Sequence, residues 1–290
     1  MVPGILTRGH DCASASSRPS VPAAAPAVVK AAARMNSLRR KYTFLSVISE
    51  DGIGAWRLRS MKPLYSQAQV VVVYLHGFAS SPESSKAAFF STRFAELGVT
   101  FLCPDLNHPA FPTLTVTRML QQLDALVASQ PPGEVVLIGS SLGGFVAVEA
   151  AARQDGATTH PISRLILLAP AVELEWDRWS EVRPGGIDGW RAAGSIDVFH
   201  YALDRPDRLN FQFYEDAERY HPATRRLALP MLIFQGVHDE SVDPAIVQRF
   251  ARQQPDATLH MVDDGHQLKN SLDAIWEETM RFLTKTRGYG

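Results

Sequence analysis

Short apolar runs alternate with amphipathic stretches from about residue 70 to the end of the chain. The runs are rich in β-branched residues, as is typical of buried strands, and they lie at 70–75, 99–103, 135–139, 165–168, 231–234 and 257–262. Apolar positions at helical spacing lie between them, at 84–97, 114–128, 145–152, 243–253 and 271–284. This alternation predicts an α/β fold with a mostly parallel central sheet and helices on both faces.

The N-terminal part of the chain differs from this rhythm. Residues 42–49 and 55–60 flank a Glu-Asp-Gly turn and predict an antiparallel hairpin. Residues 1–38 are rich in Ala, Ser, Pro and Val, a composition that resembles an organelle transit peptide. The alternatives are a disordered leader or a chain that begins at Met35. We therefore expect the folded domain over 39–290, in the cytoplasm unless the leader directs it to mitochondria or another organelle.

Residues 171–229 separate two predicted strands by far more than one crossover helix needs. This insertion holds three of the five tryptophans, and the segments 196–199 and 209–213 alternate loosely enough to pair as a hairpin. Its aromatic side chains predict either a cap over a substrate pocket or an aromatic core that holds the insertion together. We expect a cap, with candidate pocket residues Trp176, Trp179, Trp190 and Phe213.

Composition and charge narrow the function classes. The formal net charge of −1 indicates neither a nucleic-acid partner nor a membrane-surface partner. No run of about 18 apolar residues is present, so no membrane span is predicted. Cys12 and Cys103 lie far apart, and no cluster of Cys and His has metal-ligand spacing. The sequence predicts no metal site, and it leaves the oligomeric state open.

The apolar strand at 135–139 runs directly into a small-residue helix, and Ser141 lies at the junction. Gly139 and Gly143 flank Ser141 at two residues on either side, which is the G-x-S-x-G pattern of a nucleophile elbow. So tight a turn needs neighbours without Cβ, because strand and helix approach each other closely. The alternative is an ordinary strand-to-helix turn with glycines for packing.

A serine hydroxyl is a poor nucleophile without a base and a group that orients that base. In elbow hydrolases these partners follow in the order Ser, acid, His. Asp239 comes just after the strand at 231–234, and His266 comes just after the strand at 257–262. Because the carboxyl ends of parallel strands share one edge of the sheet, we expect Ser141, Asp239 and His266 to meet there.

Several neighbours compete for these roles. Ser140 lacks the symmetric glycines, and Glu240 is a weaker candidate acid than Asp239. Asp243 suits the start of the following helix, whereas Asp263 and Asp264 precede His266 too closely to reach its Nδ1 atom. For His238 we expect a role in loop packing or hydrogen bonding.

An oxyanion hole needs two N–H donors aimed at one point. One is expected from Leu142, the residue after the nucleophile, and the other from the loop that follows the strand at 70–75. In that loop Gly77 lets the backbone turn inward, and Phe78 is the candidate donor. His76 is expected to be structural.

The complete set of motifs resembles the α/β-hydrolase superfamily from about residue 42 to the end. The set comprises HGF after a strand, GSSLGG at the elbow, GVHDESV and DDGH. More narrowly, YLHGFASSP at 74–82 and FYEDA at 213–217 resemble the small YqiA-type esterases. The resemblance implies hydrolysis of carboxylic esters with small or short acyl groups, and no cofactor.

The sequence therefore predicts a serine hydrolase that forms an acyl-enzyme on Ser141 and takes a small-molecule ester. A thioesterase or an amidase would use the same parts. The hypothesis from another class is a ligand-binding protein on the same fold that no longer turns over. The presence of all three candidate catalytic residues argues against it.

Overall fold

The computed structural model describes residues 69–154, 159–179, 182 and 184–284. Strands in this part of the chain are β1 (Gln69–Leu75), β2 (Thr100–Leu102), β3 (Gly133–Ser140), β4 (Ile162–Leu168), β5 (Ser195–His200), β6 (Arg205–Asn210), β7 (Met231–Gly236) and β8 (Ala257–Val262). Six of them form a parallel sheet in the order β2-β1-β3-β4-β7-β8. The predicted leader (1–38) and hairpin (42–60) lie outside the described residues.

Helices connect the parallel strands, as the alternation predicts. They are α1 (Ser85–Glu96), α2 (Val116–Ala128), α3 (Leu142–Ala152), α4 (Gly186–Ala193), α5 (Gln212–Ala217), α6 (Pro244–Gln253) and α7 (Leu272–Thr284). The side chain of Ser84 caps α1, that of Thr115 caps α2 and that of Asp243 caps α6. One helix end differs from expectation, because Leu97 is the exposed C-cap of α1 and not part of its apolar stripe.

The strands are covered on both faces, which explains their continuous apolar runs. Val71, Val73 and Leu75 of β1 belong to the core that also contains α2, α3 and α6. Val72 and Tyr74 point to the opposite core, against α1 and α7. Alternate residues of one strand therefore serve two separate cores, and helices lie on both faces, as predicted.

Helix α3 leads directly out of β3 and is buried along its length. Residues 142–151 of this helix are all buried, whichever way their side chains point. A helix that is apolar all round is stable only when it is enclosed on every side. The core around α3 thus holds the start of this helix, next to Ser141, in one position.

The insertion at 171–229 contains β5, β6, α4, α5 and two short 3₁₀ turns. The hairpin predicted here is present, with Ile196 opposite Leu209. Its second strand ends earlier than predicted. Phe211 is the N-cap of α5, and Phe213 lies inside that helix. Both rings pack into the same core, and helical backbone at this point puts them there.

An ion pair between the buried Glu149 and the partly exposed Arg225 joins the end of the insertion to α3. The Glu149 side chain is fully buried, and it accepts hydrogen bonds from Arg225 Nε (3.1 Å) and Nη2 (2.9 Å). The backbone N–H of His221 donates a third hydrogen bond, of 3.1 Å. A buried carboxylate is tolerated only when its oxygens are paired in this way.

Within the described ranges, none of the helices is long and apolar enough to cross a membrane.

The ion pair gives a stability prediction. Arg225→Leu leaves the Glu149 carboxylate buried without its cation, so the free energy of unfolding is expected to fall by about 3 kcal/mol. Urea denaturation followed by circular dichroism measures the change. The control is Arg153→Leu, which removes an exposed pair with Asp124 and should cost at most about 1 kcal/mol. Equal losses in the two variants would show that burial of Glu149 does not set the cost.

Candidate active site

Ser141 occupies a strained turn between β3 and α3. Its backbone angles are φ 52° and ψ −119°, a region that residues with a side chain rarely adopt. Its N–H donates to the Leu168 carbonyl at 3.0 Å, and its own carbonyl accepts from Gly144 at 2.8 Å and Ala171 at 3.1 Å. These bonds on both sides of the residue hold the strained conformation in place.

The two elbow glycines are required by close backbone approach. A Cβ atom on Gly143 would lie 2.0 Å from the Leu75 carbonyl oxygen, and one on Gly139 would lie 2.5 Å from the Gly143 carbonyl oxygen. Gly77 also faces the nucleophile, since a Cβ there would lie 3.3 Å from Ser141 Cβ. The strand, the elbow and the preceding loop are therefore in direct contact.

The structure brings together the three residues singled out for nucleophilic chemistry. His266 Nε2 lies 3.0 Å from Ser141 Oγ, and His266 Nδ1 lies 2.9 Å from Asp239 Oδ2. The side chain of Asp239 is fully buried, whereas that of His266 is 17% exposed. Because an ionised carboxylate only accepts hydrogen bonds, Nδ1 carries the proton and Nε2 is free to accept from the serine hydroxyl.

Asp239 is held by four hydrogen bonds. Oδ1 accepts from the N–H groups of Ser241 and Val242, both at 2.9 Å. Oδ2 accepts from His266 and from Gln235 Nε2 at 2.9 Å. Burial by itself would raise the pKa of Asp239, but the bond and charge of His266, with the bonds from Val242 and Gln235, hold this pKa below its ordinary value. The carboxylate is thus ionised and oriented.

Two backbone N–H groups beside Ser141, one at the elbow and one in the loop after β1, are candidate donors to an oxyanion. We find no partner for the N–H of Phe78 or of Leu142 among the described residues, and both residues line the cavity at Ser141. His76 fixes the loop that carries Phe78. Its Nε2 accepts from Leu106 N–H at 2.9 Å, so its Nδ1 donates to the Gly77 carbonyl at 2.9 Å. His76 is therefore structural, as expected.

A cavity of about 830 Å³ opens beside Ser141 and His266. Its apolar lining includes Phe78, Leu142, Leu174, Trp179, Val198 and Phe199. The insertion therefore contributes a wall of the cavity at Ser141.

Only Trp179 of the four candidate pocket aromatics lines this cavity. Trp190 is buried in the core and donates its indole N–H to the Leu209 carbonyl at 3.2 Å. Phe213 is fully buried against Phe78 and Trp176. Trp176 lies at a smaller neighbouring cavity and donates to Glu218 at 2.9 Å. The prediction that Trp176, Trp190 and Phe213 line the pocket at Ser141 is therefore wrong. Their rings pack together as the aromatic core of the insertion.

Comparison with solved structures identifies the fold. A protein from Agrobacterium vitis S4 described as a hydrolase superposes with a TM-score of 0.63 and 23% identity, over 74% of this chain and 88% of its own. Est1E from Butyrivibrio proteoclasticus, solved with ferulic acid bound, gives 0.62 and 22%, over 74% and 90%. Mouse alpha/beta hydrolase domain-containing protein 10 gives 0.61 and 18%, over 74% and 89%. The chain has the α/β-hydrolase fold.

The family comparison covers a shorter stretch of the chain. Residues 71–180 match the family described as uncharacterised protein family UPF0227. The match includes the loop at Phe78 and the elbow at Ser141 but ends before Asp239 and His266. It supports the resemblance to YqiA-type proteins over that stretch. None of the curated proteins matches the chain significantly.

The residues that competed for these roles in the sequence have other partners in the structure. His238 pairs with Asp263 at 2.8 Å, and both side chains are exposed. Asp264 is buried and accepts from the N–H groups of Asn270 and Ser271, just before α7. His266 bonds to Ser141 and Asp239 and not to the remaining competitors among the described residues. Ser140 is buried and bonds to Tyr74, Glu240 is exposed, and Asp243 caps α6.

Two further residues at the site were not singled out from the sequence. Gln235 is buried at the end of β7 and orients Asp239; an amide at the end of an otherwise apolar strand was the available signal. Lys86 is a buried lysine in the first turn of α1 and lines the cavity. Its signal was a basic residue where the helix dipole favours an acid.

Within the described ranges, no group of three or more His, Cys, Asp or Glu side chains is placed to hold a metal ion.

The lowered pKa of Asp239 predicts how stability depends on pH. A carboxyl group whose pKa is lower in the folded chain stabilises it above the unfolded value of 3.8, and this contribution is lost as the pH falls through the folded value. Wild type is therefore expected to lose free energy of unfolding more steeply below about pH 4 than Asp239→Asn.

Urea denaturation at several pH values measures this difference. Glu240→Gln removes the adjacent exposed carboxylate and should follow the wild-type curve. A wild-type slope equal to that of Asp239→Asn would contradict the assignment.

Proposed function

We propose that the chain is a serine hydrolase that cleaves carboxylic esters through an acyl-enzyme on Ser141. The observation that carries the proposal is the position of the His266 ring, 3.0 Å from Ser141 Oγ and 2.9 Å from Asp239. These residues come from loops after β3, β7 and β8, where active residues of parallel α/β sheets are expected.

The first half of the reaction forms the acyl-enzyme. Ser141 Oγ attacks the ester carbonyl carbon, and its proton passes to His266 Nε2. Asp239 keeps the ring in the required tautomer and stabilises the imidazolium that results. The tetrahedral intermediate collapses as the C–O bond to the alcohol breaks, and the alcohol leaves with the proton from Nε2.

The second half releases the acid by the same groups. A water molecule attacks the acyl-enzyme while His266 Nε2 takes its proton, and Ser141 recovers that proton as the acyl–Oγ bond breaks. In both halves the free N–H groups of Phe78 and Leu142 would bind the oxyanion. Donors fixed in the backbone need no rearrangement as the charge develops.

The cavity is consistent with a small organic ester. Its volume of about 830 Å³ falls within the range of pockets that bind small molecules. The apolar wall with Phe78 and Trp179 would accept a small or short acyl group. The similar fold of Est1E, whose structure contains ferulic acid, makes an ester a reasonable first class to test. Thioesters and amides present the same carbonyl to the same groups, so the assay includes them.

Replacement of the nucleophile tests the proposal directly. Ser141→Ala is expected to lower kcat/KM for p-nitrophenyl esters by at least about 10⁴-fold and to abolish labelling by a fluorophosphonate probe. Ser140→Ala is the matched control and should keep both activities. Acetate, butyrate, octanoate and laurate esters, with an acyl thioester and an anilide, measure the acyl preference.

The outcomes separate the function classes. Labelling without ester turnover points to the thioester or the amide. A folded wild-type protein that takes no label and cleaves none of these substrates would contradict the hydrolase proposal and favour a ligand-binding protein.

The orienting acid gives a second test of the same proposal. Asp239→Asn is expected to lower kcat by about 10⁴-fold, because an amide does not hold the tautomer in which Nε2 accepts. Glu240→Gln should retain wild-type turnover. If Glu240→Gln is the inactive variant, Asp239 is not the acid.

A further inference from the structure

Lys86 is a buried cation in the cavity of the proposed active site. It is the second residue of α1, only 7% of its surface is exposed, and it lines the same cavity as Ser141 and His266. We find no hydrogen bond and no ion pair for its ammonium group among the described residues. The proposed ester chemistry does not use this group.

The position of Lys86 is unfavourable for a cation without a ligand. Removal of an ammonium group from water costs free energy unless it is paired, and the N-terminal end of a helix repels positive charge. No acidic residue lies in the first turn of α1 to offset this. Burial lowers the pKa of Lys86 to about 8, with Asp239 and Asp264 raising it and Lys269 lowering it. The group is still mostly protonated at neutral pH.

The two nearby carboxylates do not neutralise Lys86 by direct contact. Asp239 has both oxygens occupied by its four hydrogen bonds. Asp264 accepts from Gly265 through Oδ1 and from Asn270 and Ser271 through Oδ2. Their fields favour the protonated lysine, but its three donors remain available to a ligand.

The start of α1 adds further donors at the same place. Ser84 and Ser85 line the cavity beside Lys86. The first N–H groups of a helix have no acceptor within it. In α1, Ser84 accepts from the N–H of Ala87 with its side chain and from that of Ala88 with its carbonyl. We find no acceptor for the N–H groups of Ser85 and Lys86 among the described residues. Unpaired N–H groups, the positive end of the helix dipole and a cation at one point are typical of an anion-binding site.

Each acidic residue that lines the cavity is either exposed to solvent or paired with an arginine. Glu83 and Glu240 are exposed. Glu175 pairs with Arg178, and Glu173 pairs with Arg249. The buried charged residue that lines the cavity is therefore the cation Lys86, whereas the exposed residues of the lining carry charges of both signs.

We propose that Lys86 and the first turn of α1 bind an anionic group, a carboxylate or a phosphate, carried by the ester substrate. This inference rests on the proposed function and narrows its substrate class to esters with a second, negatively charged group. Lys86 acts as a binding residue that positions the ester bond at Ser141, and no covalent step involves it.

Two matched pairs of substrates test the proposal. The first pair places the charge on the acyl side: p-nitrophenyl hydrogen glutarate and its neutral monoamide analogue. The second pair places it on the leaving group: 4-acetoxybenzoate and 4-acetoxybenzamide. At neutral pH, wild type is expected to favour the charged member of at least one pair by about tenfold in kcat/KM, the usual effect of one charge-assisted hydrogen bond.

Variants assign the preference to Lys86. Lys86→Met should remove the preference for the charged ester by raising its KM. Turnover of the neutral ester should stay within about twofold of wild type, because the uncharged methionine side chain keeps the packing. Lys86→Arg should restore most of the preference. Lys269→Met removes an exposed lysine at the rim of the same cavity and should keep the preference, because the proposal assigns the anion to the buried Lys86.

The pH dependence gives a further readout. The ratio of kcat/KM for the two members of a pair is insensitive to His266, which acts on both. This ratio is expected to be constant below about pH 7 and to fall as the pH rises through about 8, because a deprotonated lysine attracts no anion.

A binding measurement keeps this inference separate from the hydrolase proposal. Glutarate and inorganic phosphate, neither of which is cleaved, should raise the Tm of wild type but not of Lys86→Met, and the stronger ligand identifies the source of the anion. No charged-ester preference and no Tm shift would overturn the inference, as would equal loss of both esters in Lys86→Met. A Tm shift in a protein that hydrolyses nothing would uphold the anion site and reject the hydrolase.

Discussion

The close approach of β1 to the start of α3 is the constraint on which the site depends. Gly143 leaves no space for a Cβ atom beside the Leu75 carbonyl, so the elbow presses directly against the strand that leads into the loop at Phe78. The same approach holds Ser141 at a positive φ with its side chain clear of the backbone. The N–H groups of Phe78 and Leu142, which have no acceptor among the described residues, thereby line the same cavity as Ser141, and the core around α3 holds the start of that helix.

The loops that carry Asp239 and His266 are organised by carboxylates in a similar way. Asp239 accepts hydrogen bonds from the N–H groups of Ser241 and Val242 and so fixes the turn after β7. Asp264 accepts from those of Asn270 and Ser271 and so fixes the turn after β8. The backbone N–H of His238 donates to the Asp264 carbonyl at 3.1 Å and joins the two loops. Two buried acids thus have different tasks: one orients His266, and the other fixes the loop from which His266 projects.

The charges around the cavity follow from this arrangement. Asp239 is buried and ionised because its hydrogen bonds outweigh the cost of desolvation. Lys86 lies within its field and within that of Asp264, which favours a protonated lysine although burial opposes it. The site therefore has a negative group behind His266 and a positive group facing the cavity. In the proposed reaction, this asymmetry would distinguish one end of an ester from the other.

The sequence by itself determined the parallel sheet, its connecting helices and the positions of Ser141, Asp239 and His266. These depend on local signals: the period of the apolar residues, the elbow glycines and the place of each loop after its strand. The tertiary structure alone decided which side chains of the insertion meet the cavity. Trp190 and Phe213 are as apolar as Trp179, yet both are enclosed in the core, whereas Trp179 is only partly buried and meets the cavity. It also decided that Lys86 is buried at the cavity, because the orientation of a helix end depends on the cores that flank it and not on its own residues.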